Sequence, residues 1–192
     1  ESRERALAEV VARTGAVVVH PYNDLRVITG QATAAIELSE QVQNLDLIIA
    51  PVGGGGLLSG TALAVFLVSP KTAVIAAEPE RADDAYRSLR SGRIVPSQDP
   101  NTLADGLRTS LGDLTFPIIQ RYVKDIVLVS EEAIVEAMRC LWERMKILVE
   151  PSAAVPLGAV LSRRLDVSGR RVGIIVSGGN VDLDRLPWIS KR

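Results

Sequence analysis

Asp46-Leu47-Ile48-Ile49-Ala50-Pro51-Val52 passes directly into Gly53-Gly54-Gly55-Gly56 and then into Leu57-Leu58-Ser59-Gly60. The opening run is almost uninterrupted in its apolar character, the pattern of a strand buried on both faces. The glycines end it, and the apolar segment 57–68 reads as a helix. The same grammar recurs in Thr72-Ala73-Val74-Ile75-Ala76-Ala77, Ile126-Val127-Leu128-Val129 and Arg171-Val172-Gly173-Ile174-Ile175-Val176, with helical segments at 82–91, 131–147 and 152–164. Upstream, Ala34, Ala35, Leu38 and Val42 recur at helical spacing within 30–43. Residues 2–14 carry Leu7, Val10 and Val11 among charges before a helix-ending Gly15, and Ala16-Val17-Val18-Val19-His20 reads as a short buried strand. Strands alternating with helices predict an α/β fold, a mostly parallel sheet flanked by helices and joined by right-handed crossovers. Residues 92–113, with Pro96, Pro100 and Gly112, read as an extended excursion rather than a linker.

The bulk composition is that of a folded domain: 47% hydrophobic and 23% charged over 192 residues. A net charge of −1 gives no broad attraction to nucleic acid or an anionic membrane, and no apolar run approaches a membrane span. The single cysteine, Cys140, lies in an amphipathic helical pattern and reads as a structural thiol; nothing points to secretion, and the expected location is cytoplasmic. The sequence starts without methionine inside a charged helical pattern, as though a further segment precedes it.

Three segments carry chemistry. Glycine gives up more backbone freedom on folding than any other residue, so four in succession are an expensive way to make a plain turn. Without Cβ atoms their N–H groups can converge into a nest, adding to the free N–H groups of the helix start, which suits a phosphate. No Lys-Ser/Thr follows as in a nucleotide P-loop, and the dinucleotide spacing G-x-G-x-x-G is poorly met. In Ile174-Ile175-Val176-Ser177-Gly178-Gly179-Asn180 a second strand ends in small residues. Ligands of parallel sheets bind beyond the carboxyl ends of strands, so Ser177 falls where a hydroxyl can read one, although Ser-Gly-Gly-Asn is also ordinary turn composition. Ala77-Glu78-Pro79-Glu80-Arg81-Ala82-Asp83-Asp84 gathers carboxylates that suit either a divalent cation or an acidic helix start, and composition alone favours the helix start. His20, the only histidine, reads as structural, and Trp142 and Met145 share a helix as core or subunit-contact residues.

In order, these segments resemble the serine/threonine dehydratases and serine racemases, fold-type-II pyridoxal-phosphate enzymes related to the tryptophan synthase β subunit. The resemblance rests on His20-Pro21, Gly30-Gln31, Pro51-Val52-Gly53-Gly54-Gly55-Gly56-Leu57, Thr102-Leu103-Ala104-Asp105-Gly106, Trp142-Glu143-Arg144-Met145-Lys146, Glu150-Pro151-Ser152-Ala153-Ala154 and Val176-Ser177-Gly178-Gly179-Asn180-Val181-Asp182. It implies that Gly53, Gly54, Gly55 and Gly56 hold the phosphate of pyridoxal 5'-phosphate, that Gly106 lines the cofactor pocket, and that Ser177 bonds the pyridine nitrogen. It also turns the acidic segment toward a metal: Glu78, the carbonyl of Ala82, and Asp84 match the Mg²⁺ or Ca²⁺ site of this branch. The implied reaction removes the α-proton and the β-hydroxyl of a small hydroxy amino acid, L-threonine or L-serine, giving a 2-keto acid and ammonia. Serine racemisation shares the carbanion and is the neighbouring activity. A homo-oligomer is expected.

The family's Schiff-base lysine sits in a Ser-Phe-Lys-type motif, and a Ser/Thr-Gly-Asn-His segment holds the substrate carboxylate. Neither motif is present, and Lys71, Lys124, Lys146 and Lys191 lack the required context. Where the family often has Asn or Phe-Asp after His-Pro, this sequence has Tyr22-Asn23. By resemblance, residues 1–22 end a small domain and residues 23–192 form the C-terminal part of the large cofactor-binding domain. The chain is therefore expected to be incomplete at its N-terminus, to be inactive alone, and to expose apolar surface that makes it associate. A fragment or pseudoenzyme that keeps only phosphate binding is the competing reading.

Overall fold

The computed structural model describes residues 2–189. Four parallel strands, β1 (Leu47–Pro51), β2 (Ala73–Pro79), β3 (Asp125–Val129) and β4 (Val172–Ile174), form a sheet in the order β3-β2-β1-β4. Leu47 pairs with Ala73 on one side and Val172 on the other, while Ala76 pairs with Ile126. β1 is buried along its whole length, as its apolar run requires in a covered parallel sheet.

Helices α2 (Leu25–Gln41), α3 (Gly56–Val68), α4 (Asp84–Ser91) and α5 (Thr115–Tyr122) accompany α6 (Glu131–Cys140) and α7 (Pro151–Leu161) around the sheet. One cluster packs Ile48, Ala50, Val74 and Ala76 beneath Leu58, Ala62 and Ile119; a second packs Ile49, Ala77 and Val129 against Ile134, Val155 and Ala159. These occupy the two faces of the sheet, because neighbouring strand residues point to opposite sides. α2 lies so close to α3 that a Cβ on Gly60 would sit 2.4 Å from the Ile28 carbonyl oxygen. Among the described residues, no helix is long and apolar enough to cross a membrane.

Three expectations need correction. Residues 16–20 form no strand: they are exposed, and no strand of the sheet lies beside them to satisfy their backbone groups. They follow α1 (Ser2–Thr14), whose residues from position 5 onward are also largely exposed. The helix expected over 131–147 stops at Cys140 and continues as a π-helical turn, Leu141–Met145, closed by Lys146 at φ 60°. That turn half-buries Trp142, which donates from Nε1 to the Val149 carbonyl (2.9 Å) and meets Trp188 edge-on at 5.5 Å, but leaves Met145 on the surface rather than in a core. Finally, α5 arises just beyond the irregular stretch, where the sequence pattern predicts no helix.

Candidate functional site

All four strands point their carboxyl ends the same way, so each expected site segment emerges on one edge of the sheet: the glycines after β1, Glu78 to Asp84 around the end of β2, and Ser177 after β4. Gly53, Gly54, Gly55, Gly56, Gly106 and Ser177 line a single cleft of ≈ 340 Å³, together with Pro21, Tyr22, Gln31, Leu107 and Thr109. Residues more than a hundred positions apart thus meet where the binding rule for parallel sheets puts them.

The glycine loop is held from below. Gly55 caps α3 at φ 90°, and a Cβ there would lie 2.8 Å from the Ile119 side chain and 2.9 Å from that of Thr115. The Thr115 hydroxyl donates to the Gly54 carbonyl (2.8 Å) and accepts from the Gly112 N–H (2.9 Å). Ser59 N–H is bonded to the Gly55 carbonyl (2.8 Å), while helix geometry leaves the amides of Gly56, Leu57 and Leu58 without intrahelical acceptors. Free amides at the positive end of a helix favour an anion over the loop.

One wall comes from the residues after His-Pro. The Tyr22 ring rests on Gly54, where an added Cβ would fall 2.3 Å from it. His20 is exposed rather than buried at a strand end; its Nδ1 accepts from the Asn23 N–H (2.9 Å), and its ring meets Tyr22 edge-on at 4.5 Å. Asn23 then accepts from the Leu114 N–H (2.9 Å) and donates to Asp113 (2.6 Å), tying this segment to the start of α5. Across the loop, a Cβ on Gly53 would lie 3.0 Å from the buried Thr109 hydroxyl, which has no hydrogen-bond partner. Sequence reasoning marks Tyr22-Asn23 only as a departure after His-Pro, and it does not reach Thr109.

Glu78 and Asp84 are both buried. The two Glu78 oxygens accept from the N–H groups of Ala85 and Tyr86, each at 2.8 Å, so this side chain serves the start of α4. Burial pushes its carboxyl up to about 9 against the pull of those amides. Burial likewise raises Asp84 to about 6, against the pull of its own backbone amide, Ser97 and Arg87, and neither of its oxygens makes a hydrogen bond. An orphaned carboxylate beside a second buried one fits a divalent cation. Among the described residues no group of three or more His, Cys, Asp and Glu is placed to hold a metal, so a cation here would need two carboxylates, the Ala82 carbonyl and water.

The lysines stand apart from the cleft. Lys71 and Lys124 precede β2 and β3, at the opposite edge of the sheet, and Lys146 is exposed in the turn after α6; Lys191 lies outside the described residues.

The profile of the family described as "Pyridoxal-phosphate dependent enzyme" matches residues 1–178. The chain is 53% identical to a beta-hydroxyaspartate dehydratase of Paracoccus denitrificans over 187 residues, 97% of this chain and 59% of that protein. It is 50% identical to a serine racemase of Arabidopsis thaliana over 194 residues, 98% of this chain and 58% of the relative. Among solved structures, maize serine racemase superposes with a TM-score of 0.91 at 47% identity, over 95% of this chain and 58% of that one. The serine racemase of Dictyostelium discoideum superposes with a TM-score of 0.86 at 50% identity, over 94% of this chain and 59% of that one. The chain therefore spans about three fifths of the length of the relatives it matches.

Proposed function

The chain belongs to the pyridoxal-phosphate dependent enzyme family, and we propose that it is the C-terminal portion of an enzyme that eliminates water from a small β-hydroxy amino acid. The products are a 2-keto acid and ammonia. The observation that carries the reading is the single cleft that joins the glycine loop, Gly106 and Ser177 at the carboxyl edge of the sheet.

Each residue has a defined task. The amides of the glycine loop and of the first turn of α3 would receive the phosphate dianion, with Thr115 keeping Gly54 in place from below. Ser177 would donate a hydrogen bond to the pyridine nitrogen. A hydroxyl is too weak an acid to hand that nitrogen its proton, which suits a reaction that moves charge quickly on to a leaving group. Tyr22 and Leu107 would exclude water from the ring's surroundings. When bound, pyridoxal 5'-phosphate supplies the electron sink that makes the α-proton removable. Lys71 and Lys124 lie at the far edge of the sheet and Lys146 is exposed after α6, so on this reading the lysine that carries it would come from the rest of a longer polypeptide and the described stretch alone would be inactive. Glu78, the Ala82 carbonyl and Asp84 would hold Mg²⁺ or Ca²⁺ beside α4.

Racemisation is the second reading, favoured by the 50% identity to a protein called serine racemase. Both are tested by supplying the full-length enzyme, loaded with cofactor, with L-serine, L-threonine and β-hydroxyaspartate. Keto-acid release and chiral chromatography of the remaining amino acid are followed together. Keto acid as the main product supports the proposal. Inversion without keto acid replaces it with racemisation, and no turnover of any of the three overturns both.

A further inference from the structure

Ser177 lies beyond the last hydrogen bond that the sheet makes to its strand. β4 pairs with β1 over three residues only, and its last bond to the sheet runs from the Ile175 N–H to the Ile49 carbonyl (2.9 Å). From Val176 onward the sheet no longer holds the chain. The next support is the segment that leads into α7. The Glu150 N–H donates to the Gly178 carbonyl (3.0 Å), and the Asn180 N–H donates to Glu150 Oε2 (3.1 Å). A Cβ on Gly178 would lie 2.8 Å from Glu150 Oε1, and one on Gly179 would lie 2.8 Å from the Leu148 carbonyl oxygen. The two glycines let the turn sit flat against 148–150.

Glu150 is also an unusual helix cap. It occupies the N-cap of α7, where a side-chain oxygen ordinarily accepts from an amide of the first turn, yet it makes no such bond. Its carboxylate reaches across to the turn after β4 instead. It is half-buried, an expensive place for a carboxylate that caps nothing.

We infer that Glu150 is a positioning residue that fastens the 178–180 turn through the Gly178 and Asn180 backbone and thereby aims the Ser177 hydroxyl into the cofactor cleft. This deepens the proposed function and rests on its assignment of Ser177 to the pyridine nitrogen. Glu150 need not touch the cofactor: it acts on the backbone at either end of a three-residue span, and Ser177 is the residue immediately before that span.

The test uses the full-length enzyme carrying Glu150→Ala, Glu150→Gln, Gly178→Ala, Ser177→Ala and the Glu150→Ala/Ser177→Ala pair. Cofactor is stripped and titrated back, and its dissociation constant, visible absorption band and circular dichroism are recorded alongside the melting temperature of each stripped protein. Glu150→Ala should weaken cofactor binding on the order of tenfold and change the band as Ser177→Ala does, since a misaimed Ser177 loses its hydrogen bond to the cofactor and one such bond is worth about that factor. The pair should lose little beyond Ser177→Ala, because both changes act on one contact. Glu150→Gln keeps an acceptor for the Asn180 N–H and should return affinity and band to within a few-fold of wild type. Gly178→Ala keeps the carboxylate but sets a methyl 2.8 Å from its Oε1, so that the carboxylate or the turn must move and the Asn180 bond is disturbed either way; it should reproduce the loss even if Glu150→Ala does not fold. Wild-type affinity and band in Glu150→Ala or Gly178→Ala would overturn the inference, as would losses that simply add in the pair. If Ser177→Ala itself leaves affinity and band unchanged, the assignment of Ser177 fails, and the inference falls with it by a separate and recognisable result.

Discussion

Thr115 shows how much of the site rests on side chains that touch no ligand. It is fully buried, and one hydroxyl serves both the Gly54 carbonyl and the Gly112 N–H. Thr115→Val keeps the shape but strands both backbone groups, which should cost about 1–3 kcal/mol. A urea melt of the full-length enzyme measures this, and cofactor affinity should fall with it because Gly54 belongs to the phosphate loop. Unchanged stability would mean that water replaces the hydroxyl. Asp84 supplies a second prediction at this scale. Its two oxygens are buried without partners, so adding Mg²⁺ or Ca²⁺ should raise the melting temperature, a chelator should lower it, and Asp84→Asn should remove the response. A wild-type protein indifferent to both cations would leave Glu78 and Asp84 as helix-start residues only.

Among the elements, α2 and α3 meet backbone to backbone. Gly60 faces the Ile28 carbonyl across it, with the Ala32 backbone amide 2.7 Å from where a Cβ would stand. Gly60→Ala must therefore push the helices apart rather than move a flexible side chain, and a destabilisation of roughly 1–3 kcal/mol is expected by chemical denaturation. Because α3 begins at the phosphate loop, a shift there would also reach the amides of Gly56 and Leu57. The π-helical turn has a comparable effect at the end of α6: it brings the Trp142 indole to the Val149 carbonyl, one residue before Glu150. Helical periodicity carries no mark of an inserted residue, so it leaves Met145 as a core or subunit-contact residue, and the structure excludes the core.

The whole molecule exposes several large apolar side chains. Val17 is 82% exposed and Leu67 is 75% exposed, with Phe66, Val68 and Leu148 each about half exposed. Apolar side chains and open strand edges of this kind drive association. The 192-residue chain made alone should therefore sediment as dimers or larger species, and, on the proposed function, coexpression with an N-terminal portion should suppress them. A monomer with a cooperative unfolding transition would contradict this. The same experiment addresses whether residues 16–20 become a strand once a partner strand is available, which hydrogen exchange at Val17 to Val19 would report.

The residue order by itself determined the alternation of strands and helices, the parallel sheet, and the two strand ends, at the glycine loop and at Ser177, that line one cleft. Those properties are local: an uninterrupted apolar run means burial on both faces, and four glycines at its end leave amides free wherever the chain goes next. Family membership was legible for the same reason, through short motifs kept in order. The tertiary structure alone decided which residues complete each place. Asn23 meets Leu114 across 91 positions, Thr115 meets Gly54 across 61, and Glu150 meets Asn180 across 30. No periodicity encodes such pairs, because each depends on where the crossovers bring distant loops to the same edge of the sheet. The strand expected at 16–20 failed for the complementary reason, since a strand is a property of a pair, and apolar residues without a partner remain exposed chain.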